Sequence, residues 1–317
     1  MKSSRVYEEA FLEGRPSKAD VTVVLPTLNE EGAIGRVIDD LKREGYSKIL
    51  VVDGYSTDGT IEVVNGKGVK YIYQHGQGKA GAIKTAIDHV ETPYMLVMDA
   101  DYTYDPKDIE SMLDHISKYD EVIGLRRDRH NIPLLHKFGN RVISTVLSLL
   151  MGQRISDPCS GMYLLRTDTL RSLELTSGSF DVEVEIAAQM ASFGKVTEVP
   201  VSFRKRVGAS KIRSWKDGFG IILTVFKMAW LYNPIFLISA LAALFAFPGA
   251  VILLWQLILR YFYGSEAWSV GWTWLGLIFL IVGLQAFTVS SISLMIKRME
   301  RRILKATKNA RNLLSED

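Results

Sequence analysis

Two long uncharged segments near the C-terminus constrain this chain more than any other feature. Asp, Glu, Lys and Arg are missing from residues 228–259 and from 270–296, and only Arg260 and Glu266 interrupt the connection. A helix of roughly 20 residues crosses a hydrocarbon core of about 30 Å. Two buried core helices are the alternative, but such helices are usually amphipathic. We therefore predict a transmembrane hairpin within 233–296, with spans at about 235–259 and 270–296.

The charges that flank the hairpin predict its orientation. Seven Lys and Arg residues lie in 204–227 before it and seven in 297–311 after it, while Trp268, Trp272 and Trp274 lie near the connecting loop. Basic flanks stay in the cytoplasm, and aromatic side chains prefer the membrane interface. We therefore expect a multi-pass protein of the cytoplasmic membrane. Its N-terminal domain, its basic tail at 297–317 and both termini would face the cytoplasm.

Composition narrows the remaining classes of protein. The 317 residues carry 38 Lys and Arg against 35 Asp and Glu, a formal net charge of +3, and we expect no nucleic-acid partner. The single cysteine, Cys159, excludes an internal disulfide. Residues 1–20 are charged and lack the apolar stretch of a signal peptide, so we expect a polar lead-in there.

Short apolar runs alternate with helical patterns over the first part of the chain. We predict strands at 21–25, 49–52, 69–73, 94–98, 121–124 and 195–201. We predict helical stretches at 32–43, 60–64, 78–90 and 106–117. This alternation indicates an α/β domain at 21–212 with a mostly parallel, Rossmann-like sheet. Ligands of such sheets lie beyond the carboxyl ends of the strands.

Residues 213–232 carry a different pattern. Apolar side chains recur there at intervals of three or four residues, at Trp215, Phe219, Ile222, Phe226 and Trp230. One apolar face of this kind is typical of an amphipathic helix that lies in the membrane interface. A helix packed on the α/β domain is the alternative.

The first two predicted strands end in segments that could bind a nucleoside or could simply turn the chain. Pro26 to Glu30 follow the first strand, and Asn29 among them could cap the next helix. Asp53 follows the second strand, and its carboxylate could accept hydrogen bonds from a base or a ribose. An Asx-rich turn, with Ser56 or Asp58 as a helix cap, is the alternative.

The fourth predicted strand runs directly into Asp99-Ala100-Asp101. Carboxylates two residues apart on an extended chain point to the same side. Because Mg²⁺ often binds through one or two carboxylates plus substrate phosphates, Asp99 and Asp101 are candidate metal ligands. A solvated turn is the alternative. A glycine-bearing loop before the helix at 78–90 places Lys79 where a phosphate could lie, without the spacing of a Walker A motif.

Taken in order, these motifs resemble those of inverting glycosyltransferase family 2, which has the GT-A fold. The similar segments, all within about 21–211, are 26–30, 53–60, 78–79, 99–101, 124–126, 157–162 and 208–211. Within that family the chain is most similar to polyprenyl-phosphate (dolichyl-phosphate) glucosyl- and mannosyltransferases. One subgroup of these enzymes also has two C-terminal membrane spans.

The resemblance implies a role for each matching residue. The nucleotide would be held by Pro26, Leu28, Asn29, Glu30, Asp53, Lys79, Asp99 and Ala100. Mg²⁺ or Mn²⁺ would be bound by Asp99 and Asp101, and catalysis would depend most on Asp101 and Arg126. The phosphates of donor and acceptor would be met by Arg126, Arg141, Arg206 and Lys211.

Three departures from the family pattern leave the base and the sugar open. Gly54 stands where the family often has a second acid, and Thr103 stands where it often has Gln. The loop between Arg206 and Lys211 is one residue shorter than usual. The reaction class does not depend on these positions.

The resemblance implies transfer of a sugar from a nucleotide sugar to a polyprenyl phosphate in the bilayer. We favour UDP-glucose or UDP-N-acetylglucosamine as donor, with GDP-mannose as the alternative. An anionic lipid phosphate needs no general base for its attack. A membrane polysaccharide synthase is a second alternative, although the chain lacks a Gln-x-x-Arg-Trp motif. A noncatalytic membrane-anchored scaffold is a third. Related enzymes with two spans can self-associate, so a homo-oligomer is also an open expectation.

Overall fold

The structure is a computed structural model that describes residues 15–127, 134–151, 153–175, 182–207, 230 and 234–313. The chain divides into two units, Met1–Met228 and Ala229–Asp317. The first unit contains the α/β fold, and the second contains two long apolar helices.

A seven-stranded sheet forms the centre of the first unit. Its strands are β1 (Val21–Thr27), β2 (Ile49–Asp53), β3 (Lys70–Tyr73), β4 (Tyr94–Met98), β5 (Glu121–Arg126), β6 (Met162–Arg166) and β7 (Val196–Val201). Their order is β3-β2-β1-β4-β6-β5-β7. Strand β6 pairs antiparallel with β4 and β5, and the other four pairings are parallel. The expected mostly parallel α/β fold is therefore confirmed.

Helices cover both faces of this sheet. They are α1 (Glu31–Arg43), α2 (Thr60–Gly66), α3 (Gly78–His89), α4 (Ile109–Ile116), α5 (Leu134–Met151), α6 (Thr167–Arg171) and α7 (Val182–Phe193). Alternate residues of β1 enter two separate cores. Val23 packs with the α1 side chains, whereas Val24 packs with Ile83 of α3 and Ile186 of α7. Burial on both faces explains why these strands appear in the sequence as continuous apolar runs.

The sequence prediction found six of these strands and lacked β6. The antiparallel strand at Met162–Arg166 lies between β4 and β5 and closes the gap between the two parallel parts of the sheet. Its apolar run is short and does not alternate, so its periodicity alone does not distinguish a strand from a buried helical segment. The predicted helix at 106–117 is a short 3₁₀ turn, Pro106–Asp108, followed by α4.

The second unit consists of α8 (Pro234–Tyr263) and α9 (Val270–Leu313). Within them, two apolar segments of 27 residues each, Leu237–Tyr263 and Val270–Ile296, have mean hydropathies of 2.4 and 2.1. The most apolar stretch of the first is 11% buried, and that of the second is 17% buried. Both are long and apolar enough to cross a membrane, as predicted. Two such apolar helices indicate a membrane-anchored protein. At 1.5 Å per residue, α9 extends well beyond the length that a bilayer core requires.

Small and polar side chains join the two helices closely. A Cβ atom added to Gly249 would lie 2.6 Å from the backbone N of Leu280, and Ser239 Oγ lies 2.6 Å from Ser290 Oγ. At the connection, the N–H of Ser269 donates to Gln256 Oε1 at 2.9 Å. Small residues and interhelical hydrogen bonds are what associate helices in a lipid environment, where burial of apolar surface gives no driving force.

Candidate active site

Strained backbone marks the carboxyl edge of the sheet. Asn29, Tyr55 and Tyr102 have left-handed φ values of 51°, 65° and 67°, and no other non-glycine residue in the described ranges has a positive φ. Each follows the end of β1, β2 or β4 by two to four residues. Such residues cost about 1–3 kcal/mol each and cluster at functional sites. The strain therefore lies at the edge where the sequence predicts a ligand.

The loop after β1 is tied to the loop after β2. The N–H of Thr57 donates to Asn29 Oδ1 at 2.7 Å, and the N–H of Asn29 donates to Ser56 Oγ at 2.8 Å. The expectation that Asn29 caps α1 is wrong, because Glu30 is the N-cap and Asn29 bonds to the β2 loop instead. Pro26 is half-buried beside this junction, and Leu28 is 43% exposed.

The buried carboxylate of Asp53 shapes the turn that follows β2. Its Oδ1 accepts from Ser56 Oγ at 2.5 Å, and its Oδ2 accepts from the N–H of Ser56 at 2.8 Å. Asp58 Oδ1 accepts from the N–H of Thr60, the first residue of α2, at 3.1 Å, while Gly59 is the N-cap of that helix, so neither Ser56 nor Asp58 is its cap residue. These contacts are those of the Asx-rich turn that the sequence left as an alternative. A contact between Asp53 and a nucleoside stays a prediction.

Asp99 and Asp101 lie together at the end of β4. Thr103 fixes Asp101, since its N–H and Oγ1 donate to Asp101 Oδ1 at 3.1 and 2.5 Å. On the other side, Asp101 Oδ2 is 3.4 Å from a guanidinium nitrogen of Arg206. Burial, and after it the charge of Asp99, raise the pKa of Asp101 above its usual range. Burial and the repulsion between the two carboxylates therefore both disfavour the ionised form of Asp101.

The side chain of Lys79 lies in the site between two carboxylates. Its Nζ lies 2.5 Å from Asp99 Oδ1 and 2.6 Å from Glu183 Oε1, and its side chain is only 10% exposed. Burial lowers the pKa of Lys79, but the charges of Asp99 and Glu183 outweigh burial and hold that pKa well above its usual value. The ammonium therefore neutralises charge on Asp99, one of the two candidate metal ligands. The phosphate contact predicted for Lys79 stays a prediction.

Sequence reasoning missed Glu183. A signal for it exists, because Glu183 and Glu185 interrupt an otherwise apolar start of α7 and are both buried. Charged residues are almost never fully buried unless they are paired. Such a pair of acids in an apolar helix predicts a buried cationic partner, although the pattern does not say which one.

Residues 203–207 run along the turn that carries Asp101. The N–H of Arg204 donates to the carbonyl of Thr103 at 2.7 Å, and the N–H of Val207 donates to the carbonyl of Asp101 at 3.2 Å. The guanidinium of Arg206 meets Glu30 Oε1 at 2.5 Å. This backbone pairing holds Arg206 between the loop after β1 and the carboxylate pair, so two predicted binding residues are brought together.

Arg126 at the end of β5 is held by Asp157. Its Nε and NH2 donate to Asp157 Oδ2 and Oδ1 at 2.7 and 2.5 Å. Burial lowers the pKa of Arg126, but the hydrogen bonds that Arg126 donates to Asp157 outweigh burial, so the net shift of that pKa is upward. The ring of Phe203 lies 5.3 Å from the guanidinium carbon. Arg126 therefore keeps a fixed charge and a fixed plane.

Gly161 connects the Arg126 cluster with the carboxylate pair. Its carbonyl accepts from the N–H of Asp99 at 3.0 Å, and its own N–H donates to the Tyr104 hydroxyl at 2.8 Å. A Cβ at this position would lie 2.8 Å from Asp99 Oδ1 and closer still to Oδ2 and Cγ. Only glycine therefore leaves room for the Asp99 carboxylate.

The remaining predicted residues differ in how much the structure says about them. Ala100 is buried between the two aspartates. Arg141 is exposed on α5, where its neighbour Asn140 donates to Asp157 Oδ1 at 3.0 Å. Lys211 and most of the predicted amphipathic helix lie outside the described residues, and Trp230 of that segment is helical and 63% exposed.

The carboxylate pair fits a divalent cation that also binds a diphosphate. Across the described part of the chain, no three His, Cys, Asp or Glu side chains gather into a metal site. Mg²⁺ needs fewer protein ligands, because it keeps waters and takes substrate phosphates as ligands. Asp99 and Asp101 are oxygen ligands of that kind, and a cation between them would offset the burial and the repulsion that raise the pKa of Asp101. The residues therefore suit Mg²⁺ or Mn²⁺.

Comparison with known proteins agrees with this geometry. Residues 22–173 match the family described as Glycosyl transferase family 2. Glycosyltransferase AglJ of Haloferax volcanii is 36% identical over 229 residues, which cover 70% of this chain and 76% of that protein. The chain belongs to glycosyltransferase family 2. It is therefore an enzyme, a glycosyltransferase, as the motif order predicts.

Two further proteins are similar to this glycosyltransferase. Dolichyl-phosphate hexose transferase of Haloferax volcanii is 32% identical over 215 residues, covering 66% of this chain and 93% of that protein. A crystal structure of glucosyl-3-phosphoglycerate synthase from Mycobacterium tuberculosis, in complex with Mn²⁺, UDP-glucose and phosphoglyceric acid, gives a TM-score of 0.54 at 21% identity. It covers 69% of this chain and 81% of the synthase, and the likeness shows the fold alone.

Proposed function

We propose that this glycosyltransferase moves a hexose from a nucleotide sugar to a polyprenyl (dolichyl) phosphate, with inversion at the anomeric carbon. The observation that carries the proposal is the Asp99–Asp101 pair at the end of β4, with Lys79 and Arg206 within ion-pair distance. Similarity to a dolichyl-phosphate hexose transferase over 93% of that relative supports the acceptor. We favour UDP-glucose or UDP-N-acetylglucosamine as donor, with GDP-mannose as the alternative.

On the donor side, this chain's residues orient and neutralise a diphosphate. Asp99 and Asp101 would hold Mg²⁺ or Mn²⁺, and the bound cation would act as a Lewis acid toward the departing diphosphate. Thr103 holds Asp101 in one orientation, and Lys79 forms an ion pair with Asp99. Arg206 would meet diphosphate oxygens with charge-assisted hydrogen bonds, which are roughly twice as strong as neutral ones.

On the acceptor side, the reaction needs positive charge and alignment more than a base. An oxygen of the lipid phosphate bonds to the anomeric carbon while the bond from that carbon to the diphosphate oxygen breaks. The bonding electron pair leaves with the nucleoside diphosphate, and no proton has to be removed. Because Asp157 binds Nε and NH2 of Arg126, we propose NH1 for the acceptor phosphate, with Arg141, Arg206 and Lys211 as further cations.

The two apolar helices would keep the enzyme at the surface where its acceptor lies. A polyprenyl phosphate keeps its tail in hydrocarbon, so its phosphate stays at the level of the headgroups. We propose that Leu237–Tyr263 and Val270–Ile296 span the membrane, with the catalytic domain and both termini in the cytoplasm. The basic flanks of the hairpin support this orientation.

A matrix of donors and acceptors tests the proposal. Purified enzyme in detergent with Mn²⁺ would be given UDP-glucose, UDP-N-acetylglucosamine or GDP-mannose, each with dolichyl phosphate or with 3-phosphoglycerate. We expect sugar transfer to the lipid phosphate with one of the donors and none to 3-phosphoglycerate. Transfer to 3-phosphoglycerate alone would refute the proposal that the acceptor is a lipid phosphate. Failure of every donor would refute the proposed class of donor, a nucleotide sugar.

A further inference from the structure

Two exposed tyrosines stack on each other beside the site. The rings of Tyr55 and Tyr73 have centroids 5.1 Å apart and an interplanar angle of 11°. Tyr55 is 61% exposed and Tyr73 is 45% exposed, and Tyr71 contacts Tyr73 edge-on at 5.8 Å. Aromatic rings usually bury large apolar areas. A stacked pair that is held in place and still exposed is therefore ready to receive another flat partner.

The backbone of Tyr55, which carries the more exposed of the two rings, is strained. Its φ of 65° lies in the left-handed region, which glycine adopts without cost and bulky residues rarely adopt. The two hydrogen bonds from Ser56 to Asp53 lock the turn in which Tyr55 lies. The fold therefore keeps an unfavourable conformation at a position where an exposed ring adds little to stability. Retained strain of this kind indicates a functional role for the side chain.

The stack lies next to the residues proposed for the nucleoside. Tyr73 is the register partner of Asp53 on the neighbouring strand, and neighbouring strands are only about 4.8 Å apart. The following residue, Gln74, is buried and donates its N–H to the carbonyl of Asp53 at 2.9 Å. The rings thus flank the carboxyl end of β2, at the side of the sheet away from the Asp99–Asp101 pair.

We propose that Tyr55 and Tyr73 form an aromatic platform on which the nucleobase of the donor stacks. The outer face of Tyr55 contacts the base, Tyr73 supports Tyr55 from behind, and Tyr71 buttresses Tyr73. This inference rests on the proposed function, because it takes the donor to be a nucleotide. Every base has a flat face, so the platform contributes affinity without choosing between uracil and guanine.

Binding measurements with and without a base test the platform. Calorimetry with Mn²⁺ would compare UDP, GDP and ribose 5-diphosphate, which keeps the ribose and diphosphate and lacks the base. Stacking on an aromatic side chain is commonly lost to a roughly tenfold to hundredfold extent on alanine substitution. We expect Tyr55→Ala to weaken UDP and GDP binding by such a factor and to leave ribose 5-diphosphate unchanged. Tyr55→Phe should keep the affinity within about twofold, because the ring remains.

Two further variants separate the platform from a general effect on folding. Tyr119, which precedes β5 and is separated from the tyrosine stack by β1, β4 and β6, serves as a control away from the platform, and Tyr119→Ala should leave UDP affinity unchanged. Tyr55→Gly should lose UDP affinity to the same extent as Tyr55→Ala. It should melt at a higher temperature than Tyr55→Ala, because glycine accepts the φ of 65° without strain.

The outcomes distinguish the platform from the proposed function. Unchanged UDP binding in Tyr55→Ala, or an equal loss for ribose 5-diphosphate, would overturn the platform while leaving the donor class intact. If the unaltered enzyme bound neither UDP nor GDP, the proposed function would fail and the platform would fail with it.

Discussion

Replacing Gly161 by alanine should disable the carboxylate pair without unfolding the protein. The new Cβ would lie 2.8 Å from Asp99 Oδ1 and closer to two other atoms of that carboxylate, so Asp99 would have to rotate away. Rotation breaks its 2.5 Å contact with the largely buried Lys79. The same rotation moves Asp99 away from the proposed cation. With a contribution to UDP binding like that of a hydrogen bond to a charged group, about 1.5–3 kcal/mol, its loss corresponds to roughly a tenfold to hundredfold change in the binding constant. Gly161 itself does not have a left-handed φ, so the effect comes from the side chain.

The assay is Mn²⁺-dependent binding of UDP, measured by calorimetry, together with the thermal midpoint of each variant. We expect Gly161→Ala to weaken UDP binding by about tenfold to a hundredfold. Gly139→Ala is the matched control, because a Cβ at Gly139 on α5 meets no atom within 4 Å among the residues that the structure describes. It should keep full affinity and gain up to about 1 kcal/mol of helix stability. Equal UDP affinity in Gly161→Ala and the unaltered enzyme would refute the reasoning.

Three other predictions concern the acceptor site, the membrane orientation and a buried carboxyl group. Arg126→Lys should abolish transfer while UDP still binds, because lysine cannot reproduce the planar fork; near-normal turnover would contradict the acceptor role. Membrane-impermeant maleimide on intact cells should label a cysteine placed at Ser265 and not one at Ser315, and the reverse pattern would refute the orientation. The native Cys159 lies in the catalytic domain, which the proposed orientation puts in the cytoplasm, so the impermeant reagent should leave it unlabelled. Burial also raises the pKa of Glu121 to about 8, so the folded protein holds a proton that the unfolded chain releases near its ordinary value. The free energy of unfolding should therefore fall as the pH rises from about 5 to about 8, and Glu121→Gln should remove a fall on the order of 4 kcal/mol in denaturant titrations. If the free energies of unfolding of Glu121→Gln and of the unaltered protein changed with pH in the same way, the result would contradict this reasoning.

The sequence was most informative where local pattern and structure coincide. Parallel strands buried on both faces leave continuous apolar runs, so the strands around Asp53 and Asp99 were placed within two residues of their observed ends. The uncharged segments likewise predicted α8 and α9. The position of Asp99 and Asp101 at a strand end followed directly, because side chains at the carboxyl edge of a parallel sheet face its ligands.

The parts that the sequence did not predict depend on contacts between distant residues. Asn29 bonds to Thr57, which lies 28 residues away, and no local rule for helix caps contains that partner. The need for glycine at 161 arises from the Asp99 carboxylate, and the burial of Lys79 arises from Glu183 on another helix. In each case the residue type was visible in the sequence, while its partner was fixed only by the folding of the sheet.

The most direct test of this account is metal-dependent transfer of radiolabelled sugar to dolichyl phosphate. The donor that works in the acceptor matrix would be supplied to the unaltered enzyme, to enzyme with EDTA, and to Asp101→Asn, which keeps an oxygen for Thr103 and removes the charge. We expect organic-extractable label only from the unaltered enzyme, with activity restored after EDTA by Mn²⁺ or Mg²⁺. Undiminished transfer to the lipid in EDTA and in Asp101→Asn would contradict the central claim that the Asp99–Asp101 pair binds the cation on which transfer depends.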